Sequence, residues 1–115
     1  MLPMRPELLK GHLDALLLAA LEPGAQHGYA VIEALRTGSG GALDLPTGTV
    51  YPALHRLERA GLIASDWQIV GGRRRRAYHL TAAGQAALGE QRAVWDQFST
   101  AVTALLTRRP WPTTA

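Results

Sequence analysis

At 115 residues and 12.4 kDa the chain has room for one domain, and 47% apolar with 18% charged residues is a globular balance, which excludes a disordered tail. It has no cysteine, which excludes disulfides, thiolate zinc sites, iron–sulfur clusters and thiol nucleophiles, and points to the reducing cytoplasm. The net charge of +3 is local: between Pro46 and Leu80 six arginines face only Glu58 and Asp66, while the rest of the chain is slightly acidic.

Residues 1–6, with two prolines, read as a disordered start. From Glu7 to Glu22 the residues Leu9, Leu13, Leu16, Leu17 and Leu21 keep helical spacing, and Pro23-Gly24 ends the pattern. The apolar run Leu13 to Leu21 contains Asp14 and is far short of the ~20 residues of a bilayer span, so no membrane is expected. With His12 and Asp14 in the apolar region it also makes a poor signal peptide. A second helix fits His27 to Thr37, with Tyr29, Ile32 and Leu35 on one face and Gly38-Ser39-Gly40-Gly41 as its stop. Ala42 to Leu45 has room only for a short extended piece. A third helix fits Thr47 to Ala60, with Val50, Leu54 and Leu57 on the core stripe and Gly61 at the left-handed C-cap position. Pro52 leaves two starts open: the helix begins at Pro52, or Thr47 caps it and one backbone bond is lost.

Ile63, Ser65, Trp67 and Ile69 alternate with polar or small residues, and Ala77 to Leu80 repeats the alternation. Gly71-Gly72 and Arg73 to Arg76 lie between, which predicts a hairpin with a basic tip. Thr81 then caps a long helix to about Arg108, closed by Pro110 and followed by a disordered tail over 109–115.

Three helices and a two-stranded hairpin is the order of a winged helix-turn-helix, so the expected fold is mainly α (α+β) with a long C-terminal helix. In that fold the helix before the hairpin enters the major groove. With Val50, Leu54 and Leu57 inward, Gly48, Thr49, Tyr51, Pro52, His55 and Arg59 fall on the outer side, and Arg56 adds a guanidinium donor. Alternate wing arginines project to opposite sides, Arg74 and Arg76 one way and Arg73 and Arg75 the other, which suits the walls of a groove lined with phosphates.

The stretch LPTGTVYPALHRLERAGL from Leu45 to Leu62, followed by Trp67, GGRRRRAYHLT and Gly84, resembles the PadR family of bacterial transcriptional regulators. The earlier HGYAVIEAL matches that family's second helix. The resemblance covers about Leu8 to Leu106. It implies that Pro52 is tolerated inside the first turns of the recognition helix, and it adds Gly28, Tyr29 and Thr47 to the DNA-binding set. Many members carry Ser-Pro ahead of Gly-Thr where this chain has Pro46-Thr47, and Ala77 stands where a large residue is frequent. The single short C-terminal helix is similar to that of the smaller subgroup, whose members dimerise through it. Some members bind flat aromatic compounds at that interface with a tryptophan of this helix, which makes Trp95, with Phe98, the candidate ligand site.

Independently of the resemblance, Leu88, Gln91, Trp95, Phe98, Val102 and Leu105 recur at alternating spacings of three and four, a heptad stripe that points to a dimer seam. A second stripe of Ala87, Val94 and Ala101 suits packing within the domain. His12, His27, His55 and His79 lack ligand spacing, so no metal is expected. No cofactor motif and no catalytic constellation is present, so no enzyme is expected. The domain division that follows is a winged helix over 7–81 and a dimerisation helix over 82–108. The function that follows is a cytoplasmic homodimeric regulator, in the manner of a repressor, that binds double-stranded DNA at an inverted repeat and is open to release by an aromatic effector. The competing class is a winged helix that serves as a ligand-binding or protein-interaction module without specific DNA recognition.

Overall fold

A computed structural model describes residues 6–9 and 11–108. The expectations of disorder over 1–5 and 109–115 lie outside the described residues. Pro6, expected in the disordered start, belongs to a 3-10 turn over Pro6–Leu9. The single helix expected from Glu7 to Glu22 is broken. Gly11 takes φ +84, and only then does α1 run, over Leu13–Leu21. The leucine periodicity continues across the break because Leu9 still folds onto the core, so spacing alone does not reveal it.

A two-residue strand β1 (Gln26–His27) precedes α2 (Gly28–Gly38), α3 (Thr47–Arg59), β2 (Ile63–Val70), β3 (Arg73–Leu80) and α4 (Ala82–Thr107). The expected two-stranded hairpin is thus part of a three-stranded antiparallel sheet of order β1-β3-β2. Two residues are too few for periodicity to detect β1. On α2 the buried face is Gly28, Val31 and Leu35, with Ile32 at its margin, and Tyr29 is 66% exposed. Tyr29, Ile32 and Leu35 are three apart, and each such step drifts about 60° around a helix, which turns Tyr29 off the core. Between α2 and α3 no strand forms; Leu43 and Leu45 anchor the connection in the core.

α3 begins at Thr47, so Pro52 lies inside it, and the cap residue is Pro46, not Thr47. The Pro46 carbonyl accepts from the Thr49 and Val50 amides at 3.0 and 3.1 Å. A Schellman closure ends the helix: Gly61, at φ +79, donates to the Glu58 carbonyl and Leu62 to the Leu57 carbonyl, both at 3.0 Å. The chain then passes directly into β2. Gly71 and Gly72, at φ +57 and +77, make the whole hairpin turn in the primed geometry that suits strand twist. The four arginines are therefore not in a tip loop but on β3, paired with β2 from Val70 opposite Arg73 to Ile63 opposite Leu80.

The core joins Leu17, Leu18 and Leu21 of α1, Val31 of α2, Val50, Leu54 and Leu57 of α3, Ile63 of β2 and Tyr78 of β3. Thr81 fixes where α4 leaves this core. Its hydroxyl donates to the Gly61 carbonyl at 2.7 Å and accepts from the Gly84 amide at 3.0 Å. Gly84 lies so close to the Leu62 carbonyl that a Cβ there would stand 1.9 Å from the oxygen. The 26 residues of α4 span about 39 Å, and only its first turns are covered by the domain.

Candidate nucleic-acid interface

At 100° per residue the buried Val50, Ala53, Leu54 and Leu57 leave Gly48, Pro52, His55 and Arg59 on the opposite, exposed side of α3. Space around Gly48 is open, and the helix's own ladder offers no acceptor to the Thr47 and Gly48 amides, so this end favours an anionic group. The two flanks differ. Thr49 and Arg56 line a groove towards α1 with Asp14 and Asp44, and the Arg56 guanidinium is hydrogen-bonded to Asp14. Among the described residues, Arg56 is the predicted contact residue of α3 whose side chain is already hydrogen-bonded to another part of the chain.

The other flank faces the wing. The Tyr51 ring lies against Gly28, where a Cβ would come within 2.4 Å of its Cζ. Gly28 is buried, and its lack of a side chain sets the depth at which Tyr51 sits. An open groove follows, lined by His27, Gly28, Tyr29, Tyr51 and Arg73 to Arg76, with no carboxylate among these residues. The structure thereby brings the start of α2, the flank of α3 and the wing arginines together.

Three residues without an assigned role in the sequence reading organise the wing. Trp67 lies opposite Arg76, and the guanidinium carbons of Arg74 and Arg76 stand 4.6 and 5.2 Å from its ring. Ser65 accepts from Arg76 Nε at 2.7 Å and donates to Glu58, which also lies 3.8 Å from Arg76 Nη2. Counting strand positions outward from the Gly71-Gly72 turn would have paired Trp67 with Arg76, because a two-residue turn fixes the register.

On α4 the predicted seam divides. Leu88 is 3% exposed and belongs to the domain core, because it falls where α4 still crosses α1. Gln91 is exposed at the edge of the α1 groove, and Val102 is half-buried. Trp95, Phe98 and Leu105 are exposed, with Phe98 at 57%. Val94 and Ala101, expected to pack within the domain, are exposed as well; of that stripe only Ala87 meets the core. Trp95 stands edge-on to His12 at 5.5 Å and 6.1 Å from Phe98, an open aromatic cluster where the helix departs. Just before it, Arg92 holds Glu22 with two bonds of 2.7 Å, and this partner keeps the Glu22 carboxyl below its ordinary range.

The transcriptional regulator PadR-like family matches residues 17–90, well over half of the chain. The chain belongs to the PadR-like family. PadR-like proteins are DNA-binding transcriptional regulators rather than enzymes, and solved structures with PadR in their names share this fold. A PadR-like regulator from Bacillus cereus is 29% identical with TM-score 0.79, covering 90% of this chain and 99% of its own. A PadR family regulator from Eggerthella lenta is 33% identical with TM-score 0.76, covering 90% and 88%. The transcriptional regulator Rv3488 of Mycobacterium tuberculosis is 50% identical over 52 residues, a match that spans 45% of this chain and about half, 49%, of that relative. Among the described residues of this PadR-like chain no helix is long and apolar enough to cross a membrane.

Proposed function

We propose that the chain is a cytoplasmic homodimeric repressor that reads an inverted-repeat operator in double-stranded DNA. Residues 7–81 serve as the winged DNA-binding domain and 82–108 as the dimerisation helix. The observation that carries this reading is the groove in which four arginines and two tyrosines meet beside α3 with no carboxylate among the lining residues. Such a surface has its electrostatic use beside a polyanion. The exposed side of α3, with Gly48, Pro52, His55 and Arg59, reads bases together with Thr49 and Tyr51 on its two flanks. The wing of Arg73 to Arg76 grips phosphates, with Arg76 contributing its charge while it is bonded to Ser65, and with Tyr29 and Thr47 at the edge of the contact.

A dimer places two such surfaces about 34 Å apart, one turn of the duplex. The exposed Trp95, Phe98 and Leu105 of α4 form its seam with Gln91 and Val102, and a flat aromatic effector against Trp95 and Phe98 releases the operator by changing the angle between the helices. Selection of bound duplexes from a random pool, followed by titration at several salt concentrations, tests the reading. Expected are a palindromic site and a steep loss of affinity with salt. Tyr51→Phe and His55→Ala should each cost about 1 to 3 kcal/mol of specific binding relative to random binding. Salt-insensitive binding of an apolar ligand without DNA affinity would replace this reading with that of an interaction module.

A further inference from the structure

We propose that Trp67 is a positioning residue of the DNA contact: its indole is a rack that holds Arg74 in a phosphate-binding posture, while Arg76 is a strut that ties the wing to the end of α3. This rests on the DNA-binding reading above. The face of β2 and β3 that carries Trp67 is core at its base, where Ile63 and Tyr78 are buried, and leaves the core as the hairpin extends. Trp67 is 56% exposed, so burial does not account for an aromatic of this size here. What its ring does contact is two guanidinium groups, at 4.6 and 5.2 Å, both within the range in which a cation is attracted to an aromatic face.

The two arginines are not equivalent. Arg76 is also bonded to Ser65 at 2.7 Å and stands 3.8 Å from Glu58 in the last turn of α3, so its donors are directed back into the protein. Arg74 has, among the described residues, no ion pair or hydrogen-bonded side chain and only the indole to order it. An arginine side chain gives up conformational freedom when it grips a phosphate, and stacking removes part of that freedom in advance. Arg73 and Arg75 alternate to the face that carries Gln68 and Val70, away from the ring. Arg74 is therefore the wing arginine with the largest share of the affinity, and that advantage belongs to Trp67.

The test is a double-mutant cycle on the full-length protein, read as the dissociation constant of a labelled duplex of random sequence, about two helical turns long, at several salt concentrations. Trp67→Ala should weaken binding about fivefold while the salt slope stays the same, because no charge is removed. Trp67→Phe, which keeps an aromatic face, should bind nearly as the parent does, and Trp67→Leu, which keeps bulk alone, should behave as the alanine variant. Arg74→Ala should cost more than Arg75→Ala in the parent and the same as Arg75→Ala in the Trp67→Ala background. Additive effects of Trp67 and Arg74, or full affinity of the leucine variant, overturn the rack with DNA binding intact. A parent protein that shows no salt-dependent duplex binding overturns the DNA-binding reading and the role of Trp67 with it.

Discussion

Beyond the core the chain extends in two directions. β2 and β3 run past Ile63 and Tyr78 with Trp67 and Ile69 exposed among Arg73 to Arg76, and α4 runs past Leu88 with Trp95, Phe98, Leu105 and Leu106 exposed. Both leave large apolar groups in solvent, but only the wing interleaves them with cations. From Ala93 to Thr107 the sole charged residue is Asp96. The cations suit the wing to the proposed contact with a polyanion and oppose its pairing with a second wing. The nearly uncharged outer part of α4 lacks that protection, and apolar area of this kind is stabilised by a like surface. Two extensions of the same domain are thus sorted by charge pattern rather than by hydrophobicity.

The largest effect should come from stripping the wing of its charge. Replacing Arg73 to Arg76 together with alanine is expected to abolish duplex binding at physiological salt, and to lower the slope of log affinity against log salt by roughly 0.9 for each phosphate that is no longer neutralised. Sedimentation of the same variant should show an unchanged dimer, since α4 is untouched. An unchanged slope would break the assignment of the wing to phosphate.

The reciprocal change is Phe98→Asp, which places an unpaired charge in the proposed seam. Monomers are expected by analytical ultracentrifugation, with affinity for a two-half-site duplex reduced on the order of 100-fold and affinity for a single half-site unchanged. A persistent dimer of full affinity removes α4 from the interface. A smaller effect is expected where the domain supports the wing-side groove. Gly28→Ala sets a methyl group against the Tyr51 ring, which must move, at a cost of about 1 to 3 kcal/mol measured by urea unfolding. Tyr51→Ala should relieve that cost, and destabilisation that persists in the double variant would show that the ring is not what Gly28 accommodates.

The ease of reading these parts from sequence follows their physics. The winged order, the core stripe of α3 and the cap at Thr81 were legible because each rests on residues close together in sequence. The break at Gly11 was not, since leucines meet the core on both sides of the interruption, Leu9 before it and Leu17 after it. β1 was illegible because two residues have no period, and only Ala77 and Tyr78 of β3 make Gln26 and His27 a strand. The division of the α4 stripe was hidden for a different reason. A heptad pattern reports which side of a helix is apolar, not where along its length the domain ends, so Leu88 and Phe98 read alike although one is core and the other is exposed. The pairing of Arg56 with Asp14 crosses 42 positions and left no local signal.

The smallest expected effect tests how α4 is held at the point where it departs. Glu22 follows the last turn of α1, and its two bonds to Arg92 link α1 to α4 one turn before Trp95. Both side chains are about half exposed, so solvent screens the pair and its contribution to stability is modest. Its pH dependence has a definite sign. The Arg92 hydrogen bond lowers the folded-state pKa of Glu22 below the ordinary carboxylate value, so the contribution is present above that value and is lost as pH falls through the folded pKa. Glu22→Gln should therefore lower the melting temperature slightly at neutral pH, with the difference from the parent closing in acid and returning on neutralisation. It should also leave the wing's salt slope unaltered, because Glu22 and Arg92 lie outside the arginine groove. A difference between parent and variant that is independent of pH would mean that shape rather than charge fixes α4 here, and a changed salt slope would mean that the two extensions are coupled through the domain.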